Sequence, residues 1–251
     1  MIKMIMHGCN GAMGQVISAM AAEDENLTIV AGIDPVTVKK NDYPVFSSLE
    51  ECTEEADVIV DFASAKAVDN LLAYSAAKKI PVVLCTTGLS DEQIKEVEET
   101  SRHTAVLRSA NMSLGVNLLL KLVKEAAQVL AAADFDIELL EKHHNQKVDA
   151  PSGTALALAD SINEAMGGVY DYVYDRASVR EKRKKNEIGI QSIRGGSFVG
   201  EHDVIFAGKD EVITFNHTAY SKAIFAKGAL SAAKFLAGKG PGVYTMADVI
   251  G

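Results

Sequence analysis

Short apolar segments alternate with longer amphipathic segments along roughly the first 110 residues of the chain. The apolar segments lack the polar alternation of half-exposed strands, which is typical of strands buried on both faces of a parallel sheet. The predicted strands are 2–7, 27–33, 56–62, 81–85 and 104–108. The predicted helices are 12–22, 66–79 and 91–100. Ser90 and Gln93 have the spacing of a capping box at the start of the third helix.

The pattern changes after residue 114. A long helix with one apolar face is predicted over 114–130, followed later by helices at 152–166 and 221–236, the last taken as the final helix. Strand-like segments in this half are 136–142, 187–193, 201–207 and 211–218. Because three of these strands follow one another with little helix between them, an antiparallel or mixed sheet is favoured. The sequence therefore predicts an α/β chain with a second domain.

Composition and charge restrict the class of partner. The chain has 251 residues, of which 48% are hydrophobic, so it can bury a core and is not a disordered chain. Its formal net charge is −9, which disfavours binding to nucleic acid or to an anionic membrane. The basic run 180–185 leaves nucleic-acid binding open as an alternative, but a solvated loop is the expected form. An anionic substrate would need a local cluster of cations.

The cysteines and the N-terminus indicate a compartment. Cys9, Cys52 and Cys85 are scattered and few, which favours reduced thiols over a disulfide framework. The first residues do not have the pattern of a signal peptide, and no apolar run approaches the roughly 18 residues that span a bilayer. We therefore expect a cytoplasmic protein with no membrane partner.

A glycine-rich turn joins the first predicted strand to the first predicted helix. Gly8, Gly11 and Gly14 form the pattern G-x-x-G-x-x-G, close to the dinucleotide fingerprint G-x-G-x-x-G. Gly8 suits a tight turn, Gly11 a close approach of the backbone to a pyrophosphate, and Gly14 close helix–strand packing. Asn10 tolerates positive φ better than most residues. A purely structural turn is the alternative interpretation.

Asp34 strengthens the cofactor interpretation. It follows the second predicted strand about 20 residues beyond Gly14, the position of the carboxylate that binds the adenosine ribose in such folds. A carboxylate there repels a 2′-phosphate, although the cations Lys39 and Lys40, a few residues further on, could partly compensate for this repulsion. We expect a nicotinamide cofactor, with NADH used at least as well as NADPH.

The segment 141–155 carries the richest chemistry. His143, His144 and Lys147 place three cationic or titratable groups together in an acidic protein. Ser152 is a candidate N-cap, and the N–H groups of the following residues would form an anion site at the start of a helix. Histidine can deliver a proton near neutral pH. Ordinary core or surface histidines remain an alternative, and a metal site is not expected because strand neighbours point to opposite faces.

The chain resembles the dihydrodipicolinate reductase family over nearly its whole length. The segment His-His-x-x-Lys-x-Asp-Ala-Pro-Ser-Gly-Thr-Ala, starting at His143, carries most of this resemblance. Further matching motifs are Gly8–Gly14, Asp61-Phe62, Cys85–Gly88, Ala110–Ser113, Gly115–Asn117, Arg194–Gly196 and Gly200–His202.

The resemblance implies the domain organisation and a homotetramer. A Rossmann-like, parallel-sheet cofactor domain would comprise residues 1–114 and 219–251. An inserted α+β domain with a mixed sheet, residues 115–218, would bind substrate and form the tetramer. By the same resemblance, the cofactor, NADH or NADPH, would be bound by Gly8, Cys9, Asn10, Gly11, Ala12, Met13, Asp34, Cys85, Thr86, Thr87, Ala110, Asn111, Met112 and Ser113.

The resemblance also implies the reaction. A cyclic dicarboxylate derived from hydroxy-tetrahydrodipicolinate would be reduced by hydride from the nicotinamide, with loss of water. His143 would donate or accept a proton, Lys147 would donate one, and His144, Gly153 and Thr154 would bind the substrate's carboxylates. Arg194 is a weaker candidate, with a loop or interface arginine as its alternative.

Two other function classes remain open from the residues. The first is an oxidoreductase of the aspartate-semialdehyde type, which needs an activated cysteine. The settings of Cys52 and Cys85 are not expected to lower a thiol pKa. The second is a non-catalytic module that senses NADH, which would need no proton donor and would leave the segment 143–154 unexplained.

Overall fold

The computed structural model describes residues 1–37, 41–109 and 111–251. Over these residues the chain divides into two compact units. The first unit, here called the N-unit, comprises Met1–Leu114 and Ala223–Gly251. The second, here called the inserted unit, comprises Gly115–Lys222.

The N-unit is built on a parallel sheet that has seven strands among the described residues. In chain order the strands are β1 (Ile2–His7), β2 (Leu27–Ile33), β3 (Val45–Phe46), β4 (Val58–Asp61), β5 (Val82–Leu84), β6 (Ala105–Arg108) and β12 (Gly242–Tyr244). Their spatial order is β12-β6-β5-β4-β1-β2-β3, and every neighbouring pair is parallel. The predicted Rossmann-like parallel sheet is confirmed. All strand carboxyl ends therefore lie along one edge.

Helices cover both faces of this sheet because its strands are apolar on both sides. The helices are α1 (Ala12–Ala22), α2 (Val68–Lys78, entered through a 3₁₀ turn at Ala65–Ala67), α3 (Asp91–Ser101), α6 (Ala223–Leu236) and α7 (Met246–Ile250). One layer of the core joins α1 and α6 to the strands, and the other joins α2 and α3 to them. The capping box of Ser90 and Gln93 is confirmed at the start of α3.

Helix α6 belongs to the N-unit although it follows the inserted unit in sequence. It packs so closely that a β-carbon on Gly228 would lie 1.6 Å from the carbonyl oxygen of Met112. The prediction that this is the final helix is wrong, because the short helix α7 follows it after β12. The sequence around β3 and β12 has no continuous apolar run, whereas the equally short β5 lies within the apolar run 81–85 and is predicted.

The inserted unit contains a mixed sheet, as predicted, with five strands among the residues described. The strands are β7 (Asp136–His143), β8 (Asp171–Val173), β9 (Glu187–Arg194), β10 (Gly200–Ala207) and β11 (Val212–Ala219). Their order is β11-β10-β7-β9-β8, with β10 antiparallel to both neighbours and the β7–β9 and β9–β8 pairs parallel. Helices α4 (Leu114–Leu130) and α5 (Gly153–Ala165) supply the rest of its core.

Strand β7 is the central strand of this sheet, and its residues alternate between buried and partly exposed positions. Ile137 and Leu139 lie in the apolar core, and the same buried face continues into Glu141 and His143. The first half of the strand therefore stabilises the unit through apolar packing. The second half carries polar groups on the same buried face.

Arg183 is an exception to the prediction that residues 180–185 form a solvated basic loop. Its guanidinium binds the carboxylates of Asp136 and Glu138 at 2.8 and 3.0 Å and also donates to backbone carbonyl groups. The other residues of the run are exposed. Arg183 thus ties the loop to β7, which explains why one cation of the run is largely buried.

No helix within the described ranges is both long and apolar enough to cross a bilayer. Cys9, Cys52 and Cys85 are unpaired thiols.

Candidate functional site

The predicted cofactor residues lie in segments that follow β1, β2, β5 and β6 of the N-unit. Because these strands are parallel, all four segments lie at the carboxyl edge of one sheet. The strand order reverses between β1 and β4, since β2 lies on one side of β1 and β4 on the other. Ligands of open α/β sheets bind in the crevice at such a switch point. Ala110 lies outside the described residues.

The glycine-rich turn packs tightly against the start of α1. Gly8 has φ of +81°, and a β-carbon at Gly14 would lie 2.2 Å from the carbonyl oxygen of Gly8. Gly11 occupies the N-cap position and has no side chain with which to cap the helix. Ala12 and Met13 therefore present their N–H groups at the positive end of the helix dipole. These residues fit the pyrophosphate of a dinucleotide.

The carboxylate of Asp34 holds this turn against the end of β2. It accepts hydrogen bonds from the N–H groups of Asn10 and Val36, at 3.0 and 2.9 Å. The amide of Asn10 in turn donates to the carbonyl oxygen of Val36 at 2.5 Å. Asp34 is thus fixed beside the glycine turn, where its remaining lone pairs suit ribose hydroxyls. Lys39 and Lys40, considered above as compensating cations, lie outside the described residues.

The segments after β5 and β6 are held by local hydrogen bonds. The hydroxyl of Thr86 donates to Asp61 at 2.6 Å, next to Cys85 and Thr87. The N–H group of Ser113 donates to the side-chain oxygen of Asn111 at 2.9 Å. Met112 between them is buried against α6. Both segments therefore present a defined backbone at the sheet edge.

The surroundings of the three thiols raise the thiol pKa, whereas a catalytic cysteine needs a lowered pKa. Burial raises the pKa of Cys9 to about 11, with the charge of Asp34 adding to the effect. Burial and the charge of Asp61 raise the pKa of Cys85 well above its ordinary value. Burial also raises the pKa of Cys52. Because the thiolate is the nucleophile, none of the three is activated at neutral pH.

A buried carboxylate organises the predicted catalytic residues of the inserted unit. Glu141 is fully buried near the end of β7, and one of its oxygens lies 2.5 Å from Nδ1 of His143. A carboxylate can only accept, so Nδ1 of His143 carries the hydrogen and Nε2 faces away from Glu141. A β-carbon on Gly200 would lie 3.1 Å from this Nε2 atom, so glycine there gives the ring room.

Arg194 and Ser152 complete the hydrogen bonding of Glu141. The guanidinium of Arg194 binds both carboxylate oxygens, at 2.8 and 2.6 Å, and the N–H group of Ser152 donates at 3.1 Å. Burial alone would raise the pKa of Glu141, but hydrogen bonds from Arg194, His143 and Ser192 outweigh it and lower this pKa to about 2. The charge of Arg194 is therefore already compensated, which makes it a structural partner of Glu141.

Ser152 also connects His202 to this cluster. Its hydroxyl caps α5 by accepting from the N–H group of Ala155, and it lies 2.9 Å from Nε2 of His202. The rings of His143 and His202 pack edge to face, with centroids 5.2 Å apart. Burial, and then the proximity of His143, lower the pKa of His202 to about 4. His202 is therefore neutral at pH 7 and packs against His143.

The loop after β7 holds the remaining predicted residues. Nζ of Lys147 lies 2.8 Å from the exposed carboxylate of Asp149, and Nδ1 of His144 accepts from the N–H group of Gln146 at 3.2 Å. Gly153 and Thr154 form the first turn of α5, at the positive end of its dipole. Because Ser152 is bound to Glu141, this helix start is held in the same cluster as His143.

The sequence reasoning missed Glu141, although it carried a detectable signal. Its position breaks the apolar register of the buried face of β7, two residues before His143. A buried acid in a strand needs a cationic or donor partner. Arg194, 53 residues away in sequence, could not be assigned as that partner without the pairing of β7 with β9. Within the described ranges, no three His, Cys, Asp or Glu side chains gather as a metal site requires.

Comparison with known protein families identifies the family of the chain. A family model for the N-terminus of dihydrodipicolinate reductase matches residues 2–112, and one for its C-terminus matches residues 115–250. The chain belongs to the dihydrodipicolinate reductase family. This confirms the resemblance drawn from the motifs around His143 and the glycine-rich turn.

Curated members of this family match the chain over its full length. The 4-hydroxy-tetrahydrodipicolinate reductase of Caldanaerobacter subterraneus subsp. tengcongensis is 56% identical, over 100% of this chain and 98% of that protein. The corresponding reductase of Clostridium novyi is 50% identical, with the same coverage. The family is one of pyridine-nucleotide oxidoreductases that act on a small substrate.

Solved structures show the same fold. A dipicolinate-bound dihydrodipicolinate reductase from Paenisporosarcina sp. TG-14 superposes with a TM-score of 0.82 at 25% identity, covering 100% of this chain and 99% of the other. An amine dehydrogenase from Mycobacterium smegmatis has a TM-score of 0.62 at 12% identity, covering 98% of this chain and 95% of its own, and shares the fold alone.

The Glu141→Gln variant tests the buried carboxylate. It leaves Arg194 without an anionic partner, so we expect the free energy of unfolding at pH 7 to fall by about 3 kcal/mol. The folded-state pKa of Glu141 is depressed, so its contribution is present above the ordinary value of 4.5 and is lost as the pH falls toward about 2. Urea unfolding between pH 7 and pH 3 measures the difference in the free energy of unfolding between wild type and variant. This difference should narrow only below about pH 4.5.

The matched control is Glu211→Gln, at an exposed glutamate of the same unit. It should leave the free energy of unfolding close to that of wild type throughout. A gap for Glu141→Gln that is absent at pH 7, or that stays constant down to pH 3, would contradict the assigned charge state.

Proposed function

We propose that the protein is a 4-hydroxy-tetrahydrodipicolinate reductase, which reduces the dehydrated form of that cyclic dicarboxylate to tetrahydrodipicolinate in lysine and diaminopimelate biosynthesis. The observation that carries the proposal is that His143 and the start of α5 are bound to Glu141, in a member of this family. The loop of Lys147 joins the same cluster, because Arg194 binds both Glu141 and the carbonyl oxygen of Asp149. The N-unit binds the cofactor, which supplies the hydride. The inserted unit binds the substrate.

Recognition of the substrate rests on its negative charge. The N–H groups of Gly153 and Thr154, at the positive end of α5, bind one carboxylate, and His144 contributes a further donor. Arg194 does not take part, since both of its terminal nitrogens are bound to Glu141. In this chain of net charge −9, the substrate's carboxylates are thus bound by backbone N–H groups and by His144, and the guanidinium of Arg194 is not one of the donors.

Lys147 and His143 carry out the proton transfer to the substrate. Addition of hydride to the conjugated imine leaves negative charge on the ring, which the ammonium group of Lys147 stabilises and then neutralises by donating a proton from Nζ. The carboxylate of Asp149 lies 2.8 Å from that ammonium group. His143 assists through Nε2, because its Nδ1 atom is bound to Glu141.

For the cofactor we propose NADH, used at least as well as NADPH. The carboxylate of Asp34 lies beside the glycine turn and repels the 2′-phosphate that distinguishes NADPH. The cofactor residues of the N-unit are those predicted from the sequence, from Gly8–Met13 through Asp34 and Cys85–Thr87 to the segment ending at Ser113.

We further propose a cytoplasmic homotetramer that is formed through the five-stranded sheet. Three unpaired thiols in one chain support a reducing compartment. The edge strand β11 exposes Val212 and Ile213, which supports burial against another copy of the chain. Light scattering after size exclusion should give about four times 26.8 kDa, and a monomer at micromolar concentration would contradict this assembly.

The Lys147→Ala variant tests the proton donor. We expect kcat to fall by at least about 10²-fold, because a general acid contributes roughly 10²–10⁴-fold. NADH binding should be retained, since the predicted cofactor residues all lie in the N-unit. Steady-state kinetics together with NADH titration by fluorescence measure both quantities.

Lys209→Ala is the matched control, because Lys209 lies exposed in the turn between β10 and β11 of the same unit. It should keep kcat near that of wild type. A Lys147→Ala enzyme within a few-fold of wild type would exclude the role given to Lys147.

A coupled assay tests the reaction and the cofactor preference together. Dihydrodipicolinate synthase would generate the labile substrate from pyruvate and aspartate semialdehyde, with NADH and NADPH oxidation followed in parallel. We expect substrate-dependent oxidation, with kcat/KM for NADH at least equal to that for NADPH. Binding of NADH without oxidation would favour a sensing module, and a large preference for NADPH would contradict the role of Asp34.

A further inference from the structure

A second buried carboxylate, Asp61, lies at the switch point of the parallel sheet. It ends β4 directly beside His7, the last residue of β1, and both side chains are buried. Nδ1 of His7 lies 2.7 Å from one carboxylate oxygen of Asp61, and the N–H group of Ala63 donates to the same oxygen at 3.2 Å. The reaction described above does not use this pair.

The other oxygen of Asp61 accepts from the hydroxyl of Thr86, at 2.6 Å. Since a carboxylate cannot donate, the single hydroxyl hydrogen of Thr86 is committed to Asp61. Only the lone pairs of the Thr86 hydroxyl then remain for a ligand. A group bound by this hydroxyl must therefore be an N–H or O–H donor, such as a ribose hydroxyl or a carboxamide, and a phosphate is excluded as its partner.

The position of Thr86 in the sheet indicates which half of a dinucleotide it meets. The glycine turn that would hold the pyrophosphate follows β1, and Asp34, beside which the adenosine ribose would lie, follows β2. Strands β4 and β5 lie on the opposite side of β1 from β2. A dinucleotide centred on the turn after β1 therefore places its nicotinamide half over the ends of β4 and β5.

The backbone around Asp61 is also tightly constrained. The N–H group of Phe62 donates to the carbonyl oxygen of His7 at 3.0 Å, and that of Cys85 donates to the carbonyl oxygen of Asp61 at 3.1 Å. A β-carbon on Gly8 would lie 2.8 Å from the carbonyl oxygen of Phe62. The ends of β1, β4 and β5 are thus joined, so the direction of the Thr86 hydroxyl is fixed before any ligand binds.

We propose that His7 and Asp61 are positioning residues that make the Thr86 hydroxyl an obligatory hydrogen-bond acceptor for the nicotinamide-ribose half of the cofactor. His7 occupies one oxygen of Asp61 and so directs the other to Thr86. The inference rests on the proposed function, because it takes the cofactor to be a nicotinamide dinucleotide.

The test separates the two halves of the cofactor. NADH binding is measured by its fluorescence, and ADP, which lacks the nicotinamide half, by its displacement of NADH.

Thr86→Val removes the hydroxyl at nearly constant shape, whereas Thr86→Ser keeps it. Asp61→Asn lets an amide donate to Thr86, which reverses the direction of the bond. His7→Leu removes the donor to Asp61, whereas an asparagine introduced by His7→Asn restores one. Thermal unfolding confirms that each variant is folded.

We expect Thr86→Val, Asp61→Asn and His7→Leu to raise the Kd of NADH about tenfold, and the Kd of ADP to stay within about twofold of wild type. Thr86→Ser and His7→Asn should bind NADH nearly as wild type does. Equal weakening of NADH and ADP, or no weakening of NADH, would overturn the inference. If Asp61→Asn does not fold, the Thr86 pair and the His7 pair together decide. Failure of the wild type to bind either NADH or NADPH would instead reject the proposed function.

Discussion

A carboxylate removed from water must be surrounded by donors, and this constraint at Glu141 determines the geometry of the inserted unit's site. Its partners come from three separate places in the sequence: His143 on the same strand, Arg194 at the end of β9, and Ser152 at the start of α5. Each partner brings a segment with it. Without the buried charge, nothing in the sheet would oblige the Nδ1–H form of His143 or hold the first turn of α5 beside it.

Asp61 is the corresponding buried carboxylate of the N-unit. There too a fully buried acid at a strand end accepts from a histidine and from a backbone N–H group, and it fixes a side chain that faces the proposed ligand. In both units the apolar strand delivers the acid to a dry position, and hydrogen bonds then offset the cost of its burial. Charge placed in this way orders neighbouring groups more strictly than apolar packing alone does.

The sequence predicted the long elements well, because β1 and β2 are apolar runs and α1 and α4 each have an apolar face with helical spacing. It missed β3, β8 and β12, which are two or three residues long and are strands only because a neighbour supplies their hydrogen bonds. The candidate site followed the same rule. His143, Lys147 and the α5 N-terminus lie in one continuous segment, whereas the roles of Arg194, His202 and Asp61 depend on strand pairing.

The close contact of Gly228 with the backbone of Met112 has a consequence for biosynthesis. During synthesis on a ribosome, all residues of the inserted unit emerge before α6 does. At that stage this unit has all of its core residues, whereas the N-unit still lacks the core residues of α6 and α7. A nascent chain at that stage exposes the apolar face of the parallel sheet that α6 and α7 later cover. Those late-arriving core residues are Ala226, Ala229, Leu230, Ala232, Ala233, Leu236 and Met246.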